Sequence, residues 1–338
     1  MRLGVVGTMV WDTIHARDAG REAPVEEWGG IAYALAAADA ALPEDWTVFP
    51  IIKVGADLRR EAERFFGSLP SIDSLDGVRT VPETNNRVEL FYHSAGRRCE
   101  RLTGGVPAWG AGEILPLVGA CDALYVNFIA GWELDLSGAA ALRHAVKGPL
   151  YCDVHSLMLG VGPDGMRALR PLESWRAWMG SFDVVQLNED ELTTLADGRD
   201  DPWTIAVDIV GPRTGALLVT LGERGAAWVS TRQFFERGSG VAAPSTGAGR
   251  IASVGGTLLS GRVKPAAAVE NADPTGCGDV WGATCFAALL AGESLEAAMT
   301  RANAAAARNA AYRGATGLSE YLRSPTGLVT GRGGRGGR

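Results

Sequence analysis

Short runs of apolar and β-branched residues recur along the chain, with Gly, Pro or Asp at their ends. The runs cover residues 3–6, 48–54, 123–128, 150–154, 184–187 and 216–221. Continuous apolar runs of this length are typical of strands buried on both faces, as in a parallel sheet. Residues 31–42 and 57–66, between such runs, have the length and apolar spacing of helices. The alternation predicts an α/β fold: a doubly wound, mostly parallel sheet with helices on both faces.

Two polar stretches interrupt this alternation. Residues 13–27 separate the first strand from the first helix, and residues 80–102 contain an alternating segment at 87–93. Because a period of two is typical of a strand with one exposed face, we expect the two stretches to pair as a small β lid. The alternative is an ordinary hairpin at the edge of the domain. Unpaired edges of such a lid would invite a second copy, so we expect that any homodimer forms there.

Composition bounds the domain organisation. A chain of 338 residues that is 46% hydrophobic can bury a large core, and we expect one main domain over residues 1–323. Residues 324–338 end in a run of Gly and Arg that cannot pack a core, which predicts a flexible tail. Segments of this kind can contact RNA, but this one is short and follows an acidic chain.

Charge and cysteine content exclude several partners. A formal net charge of −7 argues against nucleic acids and acidic membranes, which require a positive surface. No stretch has the roughly 18 uninterrupted apolar residues of a membrane span, and the first residues do not resemble a signal peptide. The five cysteines form no CxxC pair and are odd in number, so neither a zinc site nor a disulfide framework is expected. These features favour a cytoplasmic location.

The sequence DPTGCGD at residues 273–279 is the segment most informative about chemistry, and residues 280–291 after it have helical length. Glycines directly before a helix let backbone N–H groups converge at the positive end of the helix dipole, which predicts an anion site. Asp279 alone could be a helix N-cap. An N-cap does not explain two glycines beside a carboxylate. This combination places an acceptor for a hydroxyl proton next to hydrogen-bond donors for a phosphoryl group.

This segment resembles the D-T-x-G-A-G-D signature of the ribokinase-like (PfkB) carbohydrate kinases. The resemblance implies that Gly276, Cys277 and Gly278 donate an anion hole and that Asp279 is the catalytic base. Pro274 replaces the usual Thr and Cys277 the usual Ala, although the backbone donors are preserved. Cys277 as a covalent nucleophile is an alternative, because helix N-termini lower thiol pKa values, but such a nucleophile needs a base partner.

Residues 188–191, with the sequence NEDE, resemble the N-x-x-E motif of the same family. The resemblance implies that Asn188 and Glu191 order Mg²⁺ and its waters near the phosphates, with Glu191 as the metal residue. Mg²⁺ keeps several waters and takes few direct protein ligands, so a single carboxylate is chemically sensible. Without the resemblance, these residues are an ordinary acidic helix start.

A glycine loop at residues 220–225 resembles the T-x-G-x-x-G loop that borders the nucleotide in this family, through Thr220, Gly222 and Gly225. Asn303 matches a position near which the family packs the adenine. Without the resemblance, residues 220–225 are only the end of a strand with a glycine turn, and Asn303 is only a polar residue on a helix. The resemblance implies ATP and Mg²⁺ as cofactors, and it leaves open the need for a monovalent cation such as K⁺.

The amino-terminal part resembles the acceptor side of the family. Asp12 stands where the family accepts hydrogen bonds from substrate hydroxyls, and Gly29 and Gly30 match its G-G motif. Ala34 departs from the pattern, because many sugar kinases have Asn there, and a missing amide removes a partner for vicinal hydroxyls.

Aromatic residues near these positions complete the predicted substrate site. Trp11 and Tyr33 would suit stacking on a ring, and Arg87 lies in the stretch that predicts the lid. The resemblance covers roughly residues 1–318. Its motifs at the catalytic end are specific, whereas those at the acceptor end match the family pattern less closely.

The sequence therefore predicts ATP-dependent phosphorylation of a hydroxyl group on a sugar or related polyol. A nucleoside kinase of the same fold is the alternative that Trp11, Tyr33 and Ala34 favour. A non-catalytic sugar sensor is a further alternative, but a sensor would need neither Asp279 nor Glu191. A dinucleotide-dependent oxidoreductase would need G-x-G-x-x-G after the first strand, and residues 4–9 lack it.

Overall fold

The computed structural model describes residues 1–15, 24–92, 98–239, 249–253, 256–267, 269 and 272–324. The strands are, in chain order, β1 (Arg2–Ile14), β2 (Val25–Gly30), β3 (Thr47–Gly55), β4 (Val78–Val81), β5 (Arg87–Tyr92), β6 (Arg98–Thr103), β7 (Ala123–Asn127), β8 (Leu150–Asp153), β9 (Leu159–Val161), β10 (Arg167–Leu169), β11 (Val184–Asn188), β12 (Ala216–Thr220), β13 (Ala226–Thr231), β14 (Gly249–Ser253) and β15 (Gly256–Val263).

The helices are, in chain order, α1 (Ile31–Ala41), α2 (Arg59–Phe66), α3 (Ala111–Val118), α4 (Leu136–Ala145), α5 (Trp175–Met179), α6 (Glu189–Ala196), α7 (Thr204–Ile209), α8 (Arg232–Ser239), α9 (Cys277–Leu290), α10 (Leu295–Asn309) and α11 (Leu318–Arg323). Short 3₁₀ turns lie at Ala56–Leu58, His155–Met158 and Gly222–Arg224. Among the described residues, no helix is long and apolar enough to cross a membrane.

The strands form a mostly parallel main sheet in the order β14-β15-β13-β12-β11-β8-β7-β1-β3-β4. The strands from β12 to β4 run parallel, and β13, β14 and β15 add an antiparallel edge. Helices cover both faces of the sheet, and the apolar runs on the central strands are therefore buried on both sides. The fold class predicted from the alternation of apolar runs is confirmed.

The second half of β1 leaves the main sheet and enters a small second sheet. There β1 pairs antiparallel with β2 and parallel with β5, and β5 pairs antiparallel with β6. We call these four strand segments the lid sheet. β1 extends to Ile14, so Asp12 lies inside this strand and not after it, and residues 80–81 belong to β4 of the main sheet. Residues 16–23, 93–97 and the tail from residue 325 lie outside the described part of the chain.

A short hairpin of the main body, β9 and β10, contacts the lid sheet. The Leu102 N–H of β6 donates to the Gly165 carbonyl at 2.9 Å, and Arg101 forms a β-bridge with Met166. The hairpin therefore meets the outer strand of the lid sheet within one chain.

A buried ion pair reinforces this contact. Arg167 of β10 lies 3.1 Å from the Glu100 carboxylate of β6, with only 3% and 12% of the two side chains exposed. Arg167 also donates to the Ile129 carbonyl at 3.0 Å, so it joins the lid sheet to the loop after β7.

Arg167→Met should destabilise the protein by about 3 kcal/mol, because it leaves the Glu100 carboxylate buried beside an apolar side chain. Urea unfolding measures this loss. Arg232→Met is the matched control: Arg232 forms an exposed pair with Glu236 at 2.8 Å, and its removal should cost about 0.5 kcal/mol or less. Equal losses in the two variants would contradict a structural role for the buried pair.

Candidate functional site

The carboxyl ends of the parallel strands meet at one edge of the main sheet. Asn127, Asp153 and Gln186 form a row across β7, β8 and β11, because they are register partners on adjacent strands. Asn188 and Thr220 are register partners one step further along β11 and β12. Ligands of open α/β sheets bind outside this edge, which makes it the candidate active site.

The segment 273–279 forms a turn that leads into α9 above this edge. Gly276 is the N-cap and has φ of 73°, a left-handed conformation that glycine adopts readily. A β-carbon at this position would stand 2.3 Å from the Tyr33 ring, so the ring of α1 packs directly on the glycine backbone. Only glycine fits both requirements at position 276.

Cys277 is the first residue of α9, and its side chain points toward α10. Its Sγ lies 3.4 Å from the Ala306 carbonyl, and the Asn309 amide donates to the same sulfur at 3.4 Å. The Cys277 N–H donates to the Pro274 carbonyl at 3.1 Å, so this predicted donor of the anion hole is engaged within the turn. The Asn309 amide also donates to the Thr275 carbonyl at 2.8 Å and fastens the turn to α10.

Asp279 lies in the first turn of α9. Its Oδ1 accepts a hydrogen bond from the Asn127 side-chain amide at 2.7 Å. The carboxylate of the predicted base is therefore tied to the end of β7, in the centre of the sheet. Gln186 makes a second link to α9, because its Nε2 donates to the Gly278 carbonyl at 3.1 Å and to Asp153 Oδ2 at 2.9 Å.

Glu191 is 1% exposed and reaches back to the start of its own helix, α6. Its two oxygens accept from the Asn188 backbone N–H at 2.8 Å and the Asn188 side-chain amide at 2.6 Å. His155 Nδ1 lies 2.5 Å from Glu191 Oε1. These contacts fix the carboxylate, and the Asn188 side chain caps the helix in return.

The carboxylates of this edge perturb the pKa values of their neighbours. Burial, the nearby Glu191 and Asp279 raise the pKa of Asp153 to about 8, although His155 opposes the shift. Burial disfavours the charge on His155, but Glu191, Glu100 and Asp153 outweigh it and raise its pKa to about 9. At neutral pH the site therefore holds a protonated Asp153 beside a charged His155.

The oxygen donors at this edge fit Mg²⁺ held mostly by phosphates and water. Among the described residues, no group of three or more His, Cys, Asp or Glu side chains forms a metal cage. The Glu191 oxygens already accept three hydrogen bonds from the protein, which suits contact with a metal through water. Asn188 and Glu191 are the residues of this chain that would order such waters.

The remaining predicted nucleotide residues surround the turn after β12. Gly225 approaches the 263–265 backbone so closely that a β-carbon would stand 2.2 Å from the Val263 carbonyl. Asn303 of α10 donates to the neighbouring Lys264 carbonyl at 2.7 Å and accepts from Trp281 Nε1 at 2.7 Å. Both ends of the Asn303 amide are thus engaged in holding this corner together.

Thr220 ends β12, and Gly222 begins the 3₁₀ turn that leads to Gly225. Arg224 of this turn forms an ion pair with Glu189, the first residue of α6. The glycine turn and the NEDE segment are therefore joined along the same edge.

The acceptor-side residues lie where β1 passes into the lid sheet. Asp12 is 3% exposed, and a β-carbon on Gly29 would stand 1.8 Å from its Oδ2, so the glycine makes room for the carboxylate. Gly30 follows as the N-cap of α1. Trp11 is half-buried and meets Trp28 edge to face at 5.0 Å between ring centroids.

Tyr33 and Arg87 have partners within the protein. Tyr33 is 1% exposed, and burial together with Asp12, Asp273 and Asp279 raises its pKa well above the ordinary value. The Tyr33 ring therefore packs on Gly276 and lies close enough to Asp12 and Asp279, the predicted base, to feel both charges. The Arg87 guanidinium on β5 of the lid sheet donates to Asp57 at 2.6 Å, in the 3₁₀ turn after β3.

Sequence reasoning missed the polar row of Asn127, Asp153 and Gln186, as well as His155 and Asn309. A signal for the row was present, because each of its members interrupts an apolar run near the carboxyl end of a predicted strand. A polar residue at such a place faces the ligand edge of a parallel sheet. His155 and Asn309 carry no comparable signal, since their roles depend on contacts with distant segments.

Comparisons with known proteins show that this arrangement of edge and turn belongs to a ribokinase-like fold. Residues 166–320 match the model of the pfkB family of carbohydrate kinases. The ribokinase-like (PfkB) resemblance of the sequence is therefore confirmed. No curated protein matches the sequence.

Solved structures match over nearly the whole chain. Ribokinase from Thermotoga maritima is 17% identical, with a TM-score of 0.65 over 95% of this chain and 97% of that chain. Ribokinase from Arabidopsis thaliana, complexed with ribose and ATP, is 20% identical, with a TM-score of 0.64 over 95% and 96%. A nucleoside kinase from Burkholderia thailandensis, in complex with inosine, is 17% identical, with a TM-score of 0.64 over 94% of each chain. At these identities the likeness shows the fold.

Asp153→Asn should weaken the pH dependence of stability. With a pKa of about 8, folded Asp153 keeps a proton that the unfolded chain has already lost above its ordinary pKa of 3.8, so the free energy of unfolding falls as pH rises between these values. His155, raised from 6.5 to about 9, adds a fall between those two pKa values. The Asn variant removes the first contribution, up to about 1.4 kcal/mol per pH unit.

Urea unfolding at pH 6, 7 and 8 measures the slope. Only the slope is diagnostic, because an amide at position 153 cannot accept from both Gln186 and the His155 N–H, which lowers stability at every pH. Asp190→Asn, at an exposed position on α6, is the control and should keep the parent slope. A parent slope in Asp153→Asn would mean that the folded protein holds Asp153 ionised at neutral pH.

Proposed function

We propose that this protein transfers the terminal phosphoryl group of ATP to a hydroxyl group of a sugar or a related polyol. The observation that carries the proposal is the placement of Asp279 beside a glycine turn at the start of α9, on the ligand edge of a ribokinase-type sheet. One helix terminus therefore carries both a proton acceptor, the Asp279 carboxylate, and a site for negative charge, the glycine turn. The match of residues 166–320 to the pfkB family supports the same chemistry.

In this mechanism Asp279 accepts the proton of the acceptor hydroxyl as its oxygen attacks the γ-phosphorus of ATP. The bond between the γ-phosphorus and its bridging oxygen breaks, and ADP leaves. Backbone N–H groups at the start of α9, with the helix dipole behind them, stabilise the charge on the transferring group. Gln186 helps by holding the Gly278 peptide from below.

Asn188 and Glu191 contribute on the donor side. The fixed Glu191 carboxylate would orient waters around Mg²⁺, which supplies charge neutralisation on the phosphate oxygens when it is bound with ATP. Thr220, Gly222 and Gly225 border the nucleotide in the proposal, and Asn303 holds the segment behind them.

Asp279→Asn should lower kcat by about 10² to 10⁴, because the amide keeps the shape of the carboxylate but cannot accept a proton. Binding of ATP should stay within a few fold of the parent. The measurements are ADP release with ribose and with inosine as acceptors and calorimetric titration with Mg²⁺-ATP. Near-parent turnover in the purified variant would remove Asp279 from the role of base.

A nucleoside acceptor is the second candidate, and the half-buried Trp11 on the same strand as Asp12 favours it. A half-buried indole at the acceptor side can stack on a base, and Ala34 offers no amide to a second hydroxyl. Asp12 would bind acceptor hydroxyls in both cases.

Trp11→Ala distinguishes the two acceptors. If the acceptor is a nucleoside, kcat/KM for inosine should fall by about 10- to 100-fold, because stacking on a base contributes about 1 to 3 kcal/mol. If the acceptor is a sugar, kcat/KM for ribose should change by only a few fold. Trp175→Ala, which removes a partly buried indole at the start of α5, controls for lost packing and should affect both acceptors equally. Selective loss on inosine would overturn the sugar assignment.

A further inference from the structure

Asn127 is the side chain that joins the central sheet to the proposed base. It is 0% exposed at the last position of β7, and its Nδ2 donates to Asp279 Oδ1 at 2.7 Å. The two residues are 152 positions apart in sequence, so the contact exists only in the folded chain. No motif of the sequence marks Asn127.

The position of Asn127 is fixed more firmly than that of Asp279. Strand β7 lies between β1 and β8 and pairs parallel with both. Asp279 lies at the start of a helix, where the outer torsion of an aspartate has a broad distribution of angles. An amide donor on one carboxylate oxygen selects one orientation and thereby aims the carboxylate.

Asn127 is a costly choice for stability alone. Its Oδ1 is buried and has no hydrogen-bond partner among the described residues, and a buried polar atom left unsatisfied costs about 1 to 3 kcal/mol. A leucine, which has the same branching at Cγ although it is larger, would avoid that cost in an apolar sheet. The side-chain N–H of Asn127, in contrast, has a hydrogen-bond partner, the Asp279 carboxylate.

We propose that Asn127 is a positioning residue for the transfer reaction: its amide orients the Asp279 carboxylate for proton acceptance and stabilises its charged form. This inference rests on the proposed role of Asp279 as base. The groups facing Asp279 that titrate are Asp153 on β8, Tyr33 on α1 and Tyr125 on β7. Burial raises the pKa of both tyrosines well above the ordinary value, so they stay neutral at physiological pH.

The test uses Asn127→Leu, which removes the donor and the unsatisfied oxygen together. We expect kcat with ribose or inosine, whichever the parent phosphorylates faster, to fall about 10-fold, with KM for acceptor and ATP within two-fold. The urea midpoint should stay unchanged or rise. A purely structural role predicts the reverse, a loss of stability with kcat preserved.

Carbon-13 NMR of aspartate carboxyls supplies a readout that needs no acceptor, with the Asp279 signal assigned by its loss in Asp279→Asn. In Asn127→Leu this signal should titrate at a higher pH than in the parent, by about one pH unit, because a hydrogen bond to the charged form is lost. Asn127→Asp should move it further in the same direction, since it adds a like charge.

Tyr125→Phe is the matched control. Tyr125 lies on the same face of β7 two residues earlier, and its buried hydroxyl has no partner among the described residues either. It should leave both kcat and the Asp279 titration unchanged. A parent titration and parent kcat in Asn127→Leu would overturn the inference, whereas an active Asp279→Asn would overturn the proposed function itself.

Discussion

Electrostatic repulsion among neighbouring carboxylates is the constraint on which the site depends. Asp153 and Glu191 are buried and Asp279 is partly exposed at the carboxyl edge of the sheet, where their like charges repel. The structure resolves this repulsion in two ways. Asp153 keeps its proton at neutral pH, and charged His155 pairs with Glu191, so the charge on Asp279 has fewer uncompensated neighbours.

Neutral amides complete the arrangement. Asn127, Gln186 and Asn188 each donate to a carboxylate or to a backbone carbonyl of the site without adding charge. Lysine or arginine at these positions would neutralise the carboxylates more fully, but it would also compete with a metal ion for them. The amides orient the carboxylates and would leave their negative charge available to the Mg²⁺ nucleotide of the proposed reaction.

Sequence patterns predicted the frame of this site better than its contents. The apolar runs at 123–128, 150–154 and 184–187 correspond to β7, β8 and β11, because a strand buried on both faces is encoded by adjacent residues. The turn at 273–279 was found in the same way, from its glycines. Asn127 and Gln186 left a local signal that was missed, a polar residue near the end of an apolar run, but their partners on α9 lie far away in the chain and no pattern names them. His155 left no local signal. The antiparallel strands β13 to β15 were missed as well. They extend the sheet beyond β12, and no local pattern shows which strand they pair with.

The lid sheet shows the same limit. Alternation at 87–93 predicted strands there, but the length of β1, which runs through Ile14 and belongs to both sheets, gave no local signal. Nor did the contact of the β9–β10 hairpin with β6, where Leu102 donates to Gly165. That contact bears on the homodimer expected through the lid, because the hairpin already occupies part of the outer strand. A dimer there would have to use another surface of the lid sheet or displace the hairpin and its buried ion pair.

Two side chains pack around the turn at residues 273–279. Tyr33 covers the backbone of Gly276, and Cys277, which departs from the family motif, packs against Asn309. The Cys277 side chain does not define the turn, whose left-handed glycine and hydrogen bonds to α10 set the path of the backbone. Because the developing charge would be met by backbone groups, these side chains can vary without moving the anion site. The proposed acceptor side would have no such protection, since hydroxyl groups would be recognised by side chains such as Asp12. An alanine at position 34 in place of an amide would therefore change what can bind, while the proposed phosphoryl side of the same fold keeps its geometry.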